Sequence, residues 1–233
     1  MDIGYYFRAA KFLFTTAYHS LRSIAILAVT GDKSRYHRHI RAWCKRVLEI
    51  CQVELEVVGR ENLLKGQSVV YVSNHASLMD IPVLIVGLED RVRIIYKKEL
   101  EKIPFMGWSM RVSPFIAIER TDPKDAMSGI QEAIEAVRGG DSVIVFAEGT
   151  RSKDGKLGEF KRGAFLLASR AEKPIIPVSI IDAQKALPLG TLRFRKAKVK
   201  LVIHPAIPPL RNPNRIEEKQ LMEKVHAQVA SAL

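Results

Sequence analysis

From residue 53 onward the chain alternates short apolar runs with longer amphipathic stretches, and that alternation leaves few folds open. Strands are expected over 54–58, 68–74 (SVVYVSN), 91–97 (RVRIIYK), 115–119 (FIAIE), 142–148 (SVIVFAE) and 174–181 (PIIPVSII). A basic alternating pair within 192–203 (LRFRKAKVKLVI) reads as an antiparallel edge. Helical spacing fills 80–88, 123–138, 161–171 and 216–232, and RGGD at 138–141 closes one of these with glycine. Strands interleaved with helices predict an α/β fold, a mostly parallel mixed sheet flanked by helices on both faces.

Residues 1–52 have a different texture. The stretch 12–31, FLFTTAYHSLRSIAILAVTG, is apolar but carries Arg22 near its middle. That charge would cost about 2.5–3.5 kcal/mol at a bilayer centre. A helix lying in the membrane interface therefore fits better than one that spans. Asp2, Arg8, Lys11, His19 and Arg22 interrupt residues 1–31, and no cleavable signal peptide is evident. In 33–52 the residues Tyr36, Ile40, Trp43, Cys44, Val47, Leu48 and Cys51 recur at three- and four-residue steps, with six cations on the remaining surface. Such a helix either packs its stripe on the domain or docks on anionic lipid, where each Lys or Arg adds about 1 kcal/mol. The apolar helix before it favours docking. The expected division is a membrane-docking helix pair at 1–52 and an α/β domain at 53–233.

Lys and Arg number 37 against 25 Asp and Glu, a net charge of +12 that calls for an anionic partner. Nucleic acid is the weaker choice: no recognition-helix or stacking-aromatic signature is present, and the charge peaks on a helix with an apolar stripe. Cys44 and Cys51 would lie about 10 Å apart on one helix, too far for a disulfide. They read as small apolar residues of a reducing compartment.

Several familiar signatures fail. GWSMR at 107–111 lacks the second glycine of a nucleophile elbow, and GTRSKDGK at 149–156 has the wrong spacing for a phosphate loop. No metal-type Cys or His cluster exists, so neither a metal nor a cofactor is expected. His19, His37, His39, His204 and His226 need no special role. Three segments remain, each closing a predicted strand: SNHASLMD at 73–80, IERTD at 118–122 and FAEGTRS at 146–152. Open α/β sheets keep their ligands at such strand ends. His75 and Asp80 would be about 140° apart on one helix. If they work together, His75 sits on a turn that folds back to Asp80. Each segment alone also fits plain turn or cap residues.

Taken together, the segments resemble the glycerolipid acyltransferases. NHASLMD resembles the family's Asn-His-x4-Asp motif, FIAIERTD its second block, FAEGTRS its third and IIPVSI at 175–180 its fourth. KKELEKIPFMGW at 97–108 and FKRGAF at 160–165 are also typical of the bacterial 1-acylglycerol-3-phosphate acyltransferases. The likeness covers roughly 54–205. Ala147 replaces a usual Pro, and Glu119 stands where Asp is common; neither removes a reactive group.

The resemblance implies transfer of an acyl group from a thioester, on acyl carrier protein or coenzyme A, directly to a lysophospholipid hydroxyl. His75 would be the base and Asp80 its orienting acid, as the chemistry independently requires. Arg120 and Arg151 would grip the acceptor's phosphate by charge-assisted bonds. Gly149 would allow close backbone approach and Thr150 would offer a donor. Glu148 would orient Arg151 or the glycerol hydroxyl, and Lys98 would add a further cation. The expected acceptor is 1-acylglycerol-3-phosphate, or another lyso-lipid such as a lyso-ornithine lipid. The expected location is the cytoplasmic face of the cell membrane, peripheral or monotopic. An intact His75–Asp80 pair argues against an inactive lipid-binding relative.

Overall fold

The computed structural model describes residues 3–119, 122–152, 154–211 and 213–233. Its sheet has seven strands: β1 (Val53–Val58), β2 (Val70–Ser73), β3 (Val92–Lys97), β4 (Ile116–Ile118), β5 (Ser142–Phe146), β6 (Ile175–Ile181) and β7 (Ala197–Ile203), in the order β1-β7-β6-β2-β5-β3-β4. Strands β2 to β6 are mutually parallel; β7 runs antiparallel to β6, and β1 pairs parallel with β7. The helices are α1 (Ile3–Thr30), α2 (Lys33–Ile50), α3 (Asp80–Leu88), α4 (Met106–Val112), α5 (Pro123–Arg138), α6 (Gly163–Ala171), α7 (Ala183–Ala186) and α8 (Arg215–Ala230).

Side chains alternate across each strand, so the central strands feed two cores. Tyr71, Ile144, Ile176 and Val178 meet α2 and α3 through Cys44, Val47, Val83 and Leu84. Val70, Val72, Val143 and Ile175 meet α5, α6 and α8 through Ile134, Phe165, Leu167 and Val225. All four residues of β2 are buried, as a parallel strand covered on both faces requires. Helix starts follow their caps. Asp32 accepts from Ser34 N and Arg35 N, Asp122 caps α5 ahead of Pro123, and Asn214 with Glu217 forms a capping box on α8.

Two expectations change. The stretch 192–203 holds one strand, not a pair, and β7 is not an edge because β1 covers it. Of residues 192–196 only Phe194 is buried, its ring 4.9 Å from that of Phe12 and tilted by 46°, so this part has no alternating face to pair. The apolar stripe of α2 is also unavailable to lipid. Tyr36, Ile40, Cys44, Val47 and Leu48 lie within the sheet-facing core, which makes α2 part of the domain, and only its cationic side faces out. Cys44 and Cys51 are free and buried, and burial pushes the Cys51 thiol up to about 12.

Helix α1 packs Ala9, Phe12 and Leu27 against the domain core and yet leaves a large apolar surface outward. Thr16, Ser20 and Ser23 are also buried, and Trp43 Nε1 of α2 donates to Thr16 Oγ1 at 3.4 Å. Outward it exposes Tyr6, Phe7, Leu13, Phe14, Tyr18, Leu21 and Val29, with Phe14 75% exposed. Tyr6–Thr30 is long and apolar enough to cross a membrane by length and composition.

Candidate active site

Strand β2 delivers the site. Asn74, directly after it, is clamped to β6: its Nδ2 donates to Ile180 O (2.9 Å) and its Oδ1 accepts from Ile180 N (2.8 Å). His75 therefore leaves the sheet at a fixed point, and the chain turns back into α3, which opens with Asp80. One oxygen of Asp80, Oδ2, accepts from Ala76 N (2.8 Å) and Ser77 N (2.9 Å) and lies 2.7 Å from His75 Nδ1. A carboxylate only accepts, so Nδ1 carries the proton and Nε2 keeps its lone pair. Asp80 is 1% exposed and the His75 side chain 13%: the acid is sealed and the base reachable. The imidazole stacks on Phe146 with centroids 3.8 Å apart and planes at 15°. Among the described residues, Asp80 Oδ1 is buried without a hydrogen-bond partner.

The end of β5 forms the second wall. Glu148 Oε1 accepts from His75 N (2.7 Å) and its Oε2 from Gly158 N (2.9 Å), while Ser152 N donates to His75 O (2.8 Å). Both backbone polar groups of His75 are thus held by the segment after β5. Gly149 has φ +76°, and a Cβ there would come 3.0 Å from Lys161 Nζ. Thr150 is exposed, and Arg151 is half-buried with no hydrogen bond or ion pair among the described residues. Lys98, at the end of β3, lies 3.4 Å from Asp125 Oδ1, while Asp125 Oδ2 accepts from Glu119 N at 2.7 Å. That backbone bond, with Lys98 beside it, holds the Asp125 carboxyl below its usual range. Arg120 lies outside the described residues.

The structure joins His75, Asp80 and Glu148 in one hydrogen-bonded unit, with Gly149, Thr150 and Arg151 on the adjoining turn. Lys98 stands apart on the Asp125 side. The two oxygens of Glu148 are spent on backbone N–H groups rather than directed at Arg151. Three contributors had not been singled out. Phe146 and Lys161 sit inside the quoted runs FAEGTRS and FKRGAF, but neither a stacking role nor a position over Gly149 shows in a residue type. Gly158 had no signal at all; a Cβ there would lie 3.0 Å from Glu148 Oε2 and displace it. A cavity of about 260 Å³ lined by Ser34, His37, Arg41 and Arg91 lies beside the amino end of β3 and includes none of these residues. Among the described residues no three His, Cys, Asp or Glu side chains cluster to hold a metal.

A reachable histidine beside a sealed carboxylate, at the carboxyl ends of an open α/β sheet, is the arrangement that acid–base catalysis requires. The sequence matches the Acyltransferase family over residues 54–181, more than half of the chain, and the chain belongs to that family. It is 32% identical over 195 residues to a chloroplastic 1-acyl-sn-glycerol-3-phosphate acyltransferase of Brassica napus, covering 79% of this chain and 56% of that protein. A 1-acyl-sn-glycerol-3-phosphate acyltransferase of Pseudomonas aeruginosa is 29% identical over 79% of this chain and 73% of its own length. The chain spans about half the length of the plant relatives it matches. Among solved structures it is similar to the 1-acyl-sn-glycerophosphate (LPA) acyltransferase PlsC of Thermotoga maritima, with a TM-score of 0.74, 28% identity, and coverage of 97% of this chain and 95% of the other.

Proposed function

We propose that the protein transfers a fatty acyl group from a soluble thioester, acyl carrier protein or coenzyme A, to the sn-2 hydroxyl of 1-acylglycerol-3-phosphate, giving phosphatidic acid. The observation that carries this reading is the 2.7 Å contact between His75 Nδ1 and Asp80 Oδ2. With Nδ1 so engaged, Nε2 takes the acceptor's hydroxyl proton as its oxygen attacks the thioester carbonyl. Asp80 stabilises the imidazolium that forms. The tetrahedral intermediate then expels the thiolate, which takes the proton back from Nε2. The substrate hydroxyl fills the place that a serine holds in a triad, so no covalent enzyme intermediate forms. Arg151 and Arg120 hold the acceptor's phosphate, and the acceptor is the one for which the relatives are named.

The reaction takes place at the cytoplasmic face of the cell membrane, with α1 lying in the interface. Support comes from the outward side of α1, which exposes Tyr6, Phe7, Leu13, Phe14, Tyr18, Leu21 and Val29. The cations on the outer side of α2, such as Arg35 and Arg38, add attraction to anionic lipid.

Purified protein on anionic vesicles, given lysophosphatidic acid and either donor, is expected to release free thiol. His75→Ala, still folded by circular dichroism, is expected to lose about 10²–10⁴ in turnover. A folded His75→Ala that keeps more than about a tenth of the wild-type rate would remove the base assignment. Because α2 is part of the core, the membrane arm is tested by surface changes on α1 rather than by truncation. Phe7→Ser, Phe14→Ser and Leu21→Ser together should abolish flotation with vesicles; undiminished flotation would place docking elsewhere.

A further inference from the structure

We infer that a second element docks on the lipid surface beside α1: the aromatic corner formed by Phe105 and Trp108 at the start of α4. This rests on the membrane reading above and adds a contact to it. The corner lies beyond the carboxyl end of β3, the same end of the sheet that carries His75, and α4 packs against α1.

Exposure and backbone shape point the same way. Trp108 is 47% exposed and Phe105 39%, with their rings 5.1 Å apart, and Ile103 and Val112 add further exposed apolar surface. Phe105 has φ +62° and ψ −62°, and Met106 N donates to Pro104 O across it at 2.7 Å. This is the strained form of the γ-turn, rare for any residue with a side chain. Strain of this kind persists where the surroundings over-determine it, and it concentrates at functional segments. Here it turns an aromatic ring outward.

The surroundings that hold the corner are rigid. A Cβ on Gly107 would come 2.4 Å from Glu101 O, so α4 is seated directly on the preceding turn. Tyr96 Oη lies 2.9 Å from Glu101 Oε1, and Arg111 Nε lies 3.3 Å from Glu101 Oε2. A fixed, partly exposed Phe–Trp pair with Lys102 and Arg111 near it has the composition of a membrane-interface anchor: rings at headgroup level and cations toward phosphates. Continuity with the outward aromatic side of α1 selects a bilayer over a protein partner. Two contact lines, α1 and α4, would fix the roll of the domain about α1 and hold the His75 end of the sheet toward the lipid.

The protein has two tryptophans, so Trp43→Phe leaves Trp108 as the sole reporter. On anionic vesicles its emission should shift to the blue and be quenched by lipids brominated on the upper acyl chain. Phe105→Ser with Trp108→Ser should weaken vesicle partitioning about tenfold, the loss of two interfacial aromatics, and leave turnover on detergent-dispersed substrate unchanged. Flotation without any change in Trp108 emission would overturn this inference and leave docking by α1 standing. Failure to float at all would overturn both. A lipid-independent blue shift that grows with protein concentration, with a doubled mass by light scattering, would assign the corner to a second copy of the chain and overturn the inference.

Discussion

Replacing Glu148 by Gln separates two roles that a carboxylate beside an active site can hold. In the structure its oxygens accept from His75 N at 2.7 Å and Gly158 N at 2.9 Å, and the residue is buried. Glutamine has nearly the same shape but only one acceptor oxygen. Whichever N–H keeps that oxygen, the other faces an NH₂ group, and two donors point at each other. A hydrogen bond to a charged group contributes about 1.5–3 kcal/mol, and a buried unsatisfied donor costs about 1–3 kcal/mol. A net loss of about 2–3 kcal/mol lowers Tm by about 5–10 °C for a chain of this size. The freed N–H belongs to His75 or to its supporting loop, so the imidazole moves relative to the acceptor, and a displacement near 1 Å costs up to about 10² in rate. Glu148→Gln should therefore show a lower Tm and a lower kcat with both a phosphorylated and a phosphate-free acceptor. Differential scanning calorimetry and thiol-release kinetics read both quantities. A variant with unchanged Tm and a raised KM confined to lysophosphatidic acid would refute this, and would return Glu148 to the substrate-orienting role expected from sequence.

Three further outcomes follow from the same geometry. Asp80→Asn should remain folded, because the amide nitrogen can take the place of Oδ1, which has no partner, while the oxygen keeps the N–H bonds of Ala76 and Ser77. Its turnover should fall about 10²–10⁴ for want of a charge opposite the imidazolium, and a variant active to within threefold would dismiss Asp80 as orienting acid. Arg151→Lys should raise KM for lysophosphatidic acid more than for monoacylglycerol; equal changes for the two acceptors would remove it from the phosphate site. Burial lowers the pKa of His204, whose Nε2 lies 2.8 Å from a Ser179 hydroxyl already donating to Val229 O. Its neutral form is favoured in the fold, so this stability is complete above the unfolded value near 6.5 and is lost as pH falls through the lower folded value. Urea midpoints should drop more between pH 8 and pH 5 for the wild type than for His204→Gln; parallel drops would refute the assignment.

Much of the architecture was legible because period and punctuation agree. Helices α3 and α5 begin and end where Asp80, Pro123 and Gly139 place them, and the central strands are apolar runs of the right length. The strand ends that gather His75, Glu148 and Arg151 were legible for the same reason. What was hidden has physical causes. The partners of Glu148 are backbone N–H groups, which every residue type except proline carries, so no pattern marks Gly158. The apolar content of α1 was plain, but the side that faces the domain mixes Phe12 and Leu27 with buried hydroxyl residues. A narrow stripe of Thr16, Ser20 and Ser23 does not register as a packing face. Helix α4 is short and begins at a strained turn that no local preference favours. The alternation in 192–196 failed because a single buried residue, Phe194, anchors a loop as well as it anchors a strand.

The position of β1 has a consequence for biosynthesis. This edge strand pairs with β7, with Val58 opposite Val202, so its neighbour in the sheet is made almost last. At about 5–20 residues per second a ribosome needs roughly 7–30 s to pass from β1 to β7. Throughout that interval α1 and α2 are already synthesised, while the sheet that α2 must cover is unfinished. An aromatic helix waiting beside an open core is exposed to both chaperones and lipid. Early capture by the bilayer would hold α1 away from the nascent core, so the surface proposed to dock the enzyme would first guard its folding.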